Sequence, residues 1–355
     1  MIPIPNNPLT IHPIKKGVHK INLMNKTSYL LLTILVTLGL LQSAYAKTLK
    51  IATLAPAGTA WMKEMKQGAK IIEKKTNGRV KFKFYPGGVM GNDQSVHRKI
   101  KIGQLQGGAF TSGGLSHIDN TIQTYSLPMQ FRSNEEVSYV REKMDSTIIQ
   151  SMADNGFIIL GLTGGGFARI LSQKPLKNLE SIRASKVWIP EGDTLVQQTF
   201  ETLGISPVSL PISDVFTGLQ TGLIETVTVN PTGAIAFQWH TSTSHMTETP
   251  VIYLMGILAV QKKAFDKLSK NDQVIVVSEM KSVYSRLGEI NRSDDEKARK
   301  ALVEQGIKFI EPGPEELERW RSLSQQSIVQ MVEKNLIKQE IVDQINQHLK
   351  DYRNQ

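Results

Sequence analysis

Residues 157–175, FIILGLTGGGFARILSQKP, carry the reading that decides the fold. Phe157 to Leu162 is an unbroken apolar run of strand length, as expected of a strand covered on both faces. Gly164-Gly165-Gly166 follows, supplying either a turn or the backbone freedom of a hinge. Arg169 comes three residues after Gly166, then Lys174-Pro175 closes the segment.

Upstream, Leu49 to Leu54 reads as a buried strand running into Ala55-Pro56-Ala57-Gly58-Thr59. Thr59 suits the N-cap of a helix with Trp61, Met65, Ala69 and Ile72 on its apolar face. Val80, Phe82 and Phe84 alternate with lysines as a half-exposed strand, Gln94 to Ile102 is helical, and Gly107 to Phe110 is a short strand. This β-α-β-α-β order predicts a parallel sheet covered by helices.

Downstream, Val187-Trp188-Ile189 is a strand, and Asp193 caps a helix ending at Gly204. Ile205 to Leu210 is a strand, Ser213 caps a short helix to Gly222, and Leu223 to Val229 returns as a strand. A second α/β unit is therefore expected. Asp272 to about Lys300 is one long helix, long enough to brace both units, and Pro314 opens a C-terminal helical region.

The 355 residues contain no Cys, which excludes a disulfide scaffold, thiolate metal sites, a cysteine nucleophile and a lipidated cysteine. Met24-Asn25-Lys26, the apolar Tyr29–Leu41 and Ala44-Tyr45-Ala46 have the layout of a secretory signal peptide over 1–46, with Met24 an alternative start. The mature chain is then expected in the periplasm, without a membrane span. The net charge of +10 includes Lys15, Lys16, Lys20 and Lys26 of that leader, and the remaining basic residues are interspersed with acids, which argues against nucleic acid. His97, His117, His240 and His245 lack metal-ligand spacing, and there is no G-x-S-x-G elbow, P-loop or dinucleotide fingerprint. Neither a metal, a cofactor nor an enzymatic activity is expected. A secreted hydrolase is the distant alternative.

Several motifs fit one ordered pattern: Gly91-Asn92-Asp93-Gln94, Leu127 to Arg132, Gly166 to Pro175, Leu176-Lys177-Asn178-Leu179, Leu219 to Glu225, and Asn230-Pro231. Their order and spacing resemble the DctP-type solute-binding proteins of TRAP (tripartite ATP-independent periplasmic) transporters, over nearly all of residues 47–345. The resemblance implies an α/β, periplasmic-binding-protein-like fold: two α/β lobes with crossing hinge strands and a long helix spanning both. Lobe I would take 47–165 plus 254–293, and lobe II 166–253 plus 294–355. It implies a receptor that closes over a small organic solute, a carboxylate above all, and delivers it to a TRAP membrane permease. A receptor for a sensor or another transporter, with an aromatic or cationic ligand, is the alternative.

The resemblance also points to residues. Arg169 stands where family members place a ligand-contacting arginine, whose planar fork can grip a carboxylate. Trp188 stands where most of the family carry a second arginine, so a bound acid would lose a counter-ion, and an indole face invites stacking instead. Asn230 matches an asparagine that contacts ligand in relatives. Thr59 and Asp214 sit at helix starts suited to an anion. Phe131, Trp61 and Trp239 are candidate apolar walls, with plain packing as the other reading, and Asn92, Asp93 and Gln94 are candidate polar contacts from lobe I. Ile212 occupies a position where some relatives have a stacking aromatic.

Overall fold

The computed structural model describes residues 46–355, so the expected signal peptide and the alternative start at Met24 lie outside the described residues. Strand β1 (Lys47–Thr53) buries Leu49 and Ile51, and helix α1 (Ala60–Lys75) packs Met62, Met65, Ala69 and Ile72 against it. Burial of each of these large apolar side chains contributes roughly 1.5–3 kcal/mol. Thr59 caps α1, its hydroxyl accepting from the Met62 amide at 3.3 Å. Strand β2 (Val80–Tyr85), helix α2 (Asp93–Lys101, capped by Asn92) and strand β3 (Gly107–Thr111) complete the predicted β-α-β-α-β run, with β2 and β3 parallel to β1. Helix α3 (Ser112–Leu115), a 3₁₀ turn (Asn120–Ser126) and helix α4 (Asn134–Asp154) lead to the decisive strand.

That strand, β4 (Phe157–Ser172), runs for 16 residues straight through the triple glycine. The glycines make neither a turn nor a break. They make a bulge in the pairing between Gly164 and Gly166, where Gly166 takes φ +88°, a conformation open to glycine and strained for other residues.

Helix α5 (Leu179–Arg183) has a capping box between Asn178 and Ser181. Strands β5 (Trp188–Pro190) and β6 (Val208–Leu210) pair in parallel around helix α6 (Thr194–Thr202), which Asp193 caps as expected. Helix α7 (Val215–Thr221) differs from expectation at its start. Ser213 bonds Asp214 Oδ1 at 3.0 Å instead of capping, and a 3₁₀ turn (Ile212–Asp214) leads in without a side-chain cap. Strand β7 (Thr226–Val229), helix α8 (Pro231–Ala236), a 3₁₀ turn (Trp239–Ser242) and strand β8 (His245–Thr247) follow. Strand β9 (Ile252–Gln261) then returns antiparallel along β4 and adds to β3. The sheet is thus parallel through β2-β1-β3 and antiparallel where β9 and β4 join it.

Helix α9 (Lys262–Phe265) precedes α10 (Lys270–Glu304), whose 35 residues extend about 52 Å. It packs on α1, on β4 and on α8, bracing both halves of the fold. Strand β10 (Lys308–Ile310) pairs with β8. Helix α11 (Pro314–Glu333) packs on α6, and α12 (Gln339–Arg353) returns to α4. Two α/β lobes result, one around β1–β3 and one around β5–β8, joined by β4, β9 and α10. No helix among the described residues is long and apolar enough to cross a membrane.

Candidate functional site

Four helices begin on one cavity. The N-cap residues Thr59 (α1), Thr111 (α3), Asp193 (α6) and Asn230 (α8) all line a space of about 540 Å³ enclosed by elements of both lobes. The cap at each start is local: side-chain oxygens of Thr59, Thr111, Asp193 and Asn230 accept the amides of Met62, Gly114, Val196 and Gly233. Of these helices only α1 and α6 are longer than two turns, and at α6 the Asp193 carboxylate offsets the positive end of the backbone.

The walls are aromatic. Phe237 stacks on Trp239 with ring centres 5.2 Å apart, and Trp239 meets Trp188 edge-on at 5.4 Å. From the other lobe Trp61 projects across Gly256, where a Cβ would overlap its ring, and Phe110 lines the same cavity. The Trp188 indole is almost fully buried and its Nε1–H donates to the Leu210 carbonyl at 2.9 Å, so it presents only ring surface. Among the described residues, the ionisable groups lining the cavity are Asp193, Asp294 and Lys297, and Lys297 pairs with Asp294 at 3.2 Å.

Thr59, Trp61, Trp188, Asn230 and Trp239 are thus brought together, and Ile212 joins them. Arg169, Phe131, Asp214 and Gln94 are not among the lining residues. Arg169 lies on β4, where its guanidinium donates to the carbonyls of Glu248 (3.2 Å) and Phe167 (3.3 Å) and sits 3.9 Å from Asp295 of α10. Phe131 is buried in the core beside Tyr125. Asp214 is exposed and bonded to Ser213, and Gln94 is exposed beside Gly192. Asn92 bonds Glu191, and Asp93 packs against Gly114.

Sequence reasoning missed Phe110, Phe237, Asn291 and Lys297. Phe237, two residues before Trp239, had a visible signal in that aromatic pair. Asn291 had none: it sits in the interior of α10, and only the tertiary structure sets its Nδ2–H on the Gly164 carbonyl at 2.8 Å. Asn230 does likewise for Gly165 at 2.7 Å, so two amides hold the bulged carbonyls where the strand passes between lobes.

Two lobes joined by crossing strands, with one cavity lined from both, thus make up the site. The family model for bacterial extracellular solute-binding protein, family 7 (DctP) matches residues 51–335, and the chain belongs to this family. The uncharacterized protein YiiZ of Salmonella typhimurium is 28% identical over 221 residues, 59% of this chain and 65% of that protein, so the aligned part spans just under two thirds of that relative. The sugar acid binding protein DctPAm of Advenella mimigardefordensis, solved with galactonate, matches with a TM-score of 0.80 at 18% identity, over 86% of this chain and 98% of that one. A TRAP periplasmic solute-binding protein of Desulfovibrio salexigens, solved with orotic acid, matches at 0.79 and 15% identity, over 86% and 99%.

Proposed function

We propose that this protein is a periplasmic receptor that captures a small organic carboxylate by closure of its lobes and hands it to a TRAP membrane permease, without turnover. The observation that carries this reading is one cavity lined from both lobes, on which the 16-residue helix α1 and three shorter helices begin. A start such as that of α1 holds an anion without a buried cation. The solutes in the DctPAm and Desulfovibrio structures, galactonate and orotic acid, support an acid here too. The lobes take 47–165 with 254–293 and 166–253 with 294–355, and α12 reaches back to α4. Closure follows from contacts that the solute makes with both lobes at once, because only contacts unique to the closed state shift the population.

Thr59, Trp61, Trp188, Asn230 and Trp239 form the solute contacts in this reading. A thermal-shift screen of uronates, aldonates, C4 dicarboxylates and aromatic acids tests it. At least one acid raises Tm by several degrees at millimolar concentration. Stabilisation by neutral or cationic compounds alone would overturn the acid assignment.

A further inference from the structure

The hydrogen-bond inventory of the cavity narrows the solute. Most of its polar side chains already hold partners within the protein, the Thr228 hydroxyl being an exception among the described residues. Asn230 and Asn291 donate to Gly165 and Gly164, Ser112 bonds Ser126, Ser126 donates to the Tyr253 carbonyl, Thr59 donates to Pro56, and Thr232 bonds Asp295. Trp188 has given its only N–H to Leu210. Among the described residues the lining holds no guanidinium, and Lys297 is exposed and paired with Asp294. Each solute hydroxyl carried in without a partner costs about tenfold in affinity. The half-buried Phe237, backed by the buried Trp239 and Trp188, by contrast asks nothing of a flat apolar body.

We propose that the solute is an arene-bearing carboxylic acid with few hydroxyl groups, its ring packed on Phe237 and its carboxylate near the start of α1, and not a polyhydroxylated sugar acid. This rests on the acid reading above and deepens it. The size fits: a cavity of about 540 Å³ encloses a ring, a short linker and a carboxylate.

Isothermal titration of the purified protein with three panels tests it: benzoate, phenylacetate and indole-3-acetate; galacturonate, gulonate and galactonate; indole and tryptamine. An arene acid binds at least 100-fold more tightly than each sugar acid, and binding changes tryptophan fluorescence. Phe237→Ala, at a half-buried position, weakens the arene acid at least tenfold, while Trp239→Phe, which keeps a ring, weakens it less. A sugar acid that outbinds every arene acid overturns the inference and leaves the acid reading standing. So does unchanged affinity in a folded Phe237→Ala. Binding of indole or tryptamine with no acid bound overturns the acid reading itself, and silence across all three panels overturns both.

Discussion

Asp93, in the first turn of α2, and Asp193, the N-cap of α6, bring carboxylates from opposite lobes together around Gly113-Gly114. A Cβ on Gly113 would overlap Asp193 Oδ2, and one on Gly114 would overlap Asp93 Oδ2. Beside them Asn92 donates to Glu191, and Gln123 Nε2 donates to Asp193 Oδ1 at 2.8 Å. Two acids therefore sit where the lobes touch.

Burial, and then the charge of Asp193, push the Asp93 carboxyl up to about 6. Burial also raises Asp193, against the Gln123 amide and the backbone N–H groups of Val196 and Leu195. The folded state holds its proton on Asp93 more tightly than the unfolded chain does. Stability from this group is full below about pH 4 and is lost as pH rises to about 6. We predict a decline of about 2 kcal/mol across that window, read by denaturant melts at successive pH values. Asp93→Asn flattens the profile and raises Tm at pH 7.5; an unaltered slope in that variant would assign the dependence elsewhere.

Glu136 on α4 is buried, and Arg353 near the end of α12 grips it through Nε (2.7 Å) and Nη2 (2.9 Å), with the Arg132 amide adding a third bond at 2.8 Å. Burial alone would raise this carboxyl, but the guanidinium and the amide outweigh it and hold it below its usual range. Arg353→Ala leaves that carboxylate unpartnered and costs about 2 kcal/mol at pH 7 by urea denaturation. The contribution is present above about pH 4.3 and disappears as pH falls through the lowered folded value. Wild type and variant therefore converge once pH falls below that lowered value, and equal stability at pH 7 would refute the clamp.

Arg169 ties β4 to the carbonyls of Glu248 and Phe167 and faces Asp295. Arg169→Ala therefore lowers stability by about 1–2 kcal/mol while leaving solute affinity within threefold. A hundredfold loss of affinity at unchanged Tm would instead put the guanidinium on the solute.

Much of the fold was legible because it is written locally. Thr59, Asp193 and Pro314 each act within four residues of the helix they start, so their meaning survives without the rest of the chain. The ordered motifs from Gly91 to Asn230 were enough for the family. The candidate site was half legible: aromatic and cap residues near helix starts were found, whereas Phe110 and Asn291 belong to elements whose sequence says only strand and helix.

By itself, the sequence determined the strands around β1–β3 and β5–β7, the helices capped by Thr59 and Asp193, the long brace and the family. Only the tertiary structure decided how the key side chains are spent. It sent Arg169 to Glu248, 79 positions away, took the Trp188 N–H for Leu210, 22 positions away, and carried β4 through its glycines because Asn230 and Asn291 hold the bulged carbonyls. The physical reason is reach. A cap or an alternating pattern is satisfied by its own neighbours, but a buried donor takes whichever acceptor the folded chain brings within 3 Å, and no local pattern records which one that is.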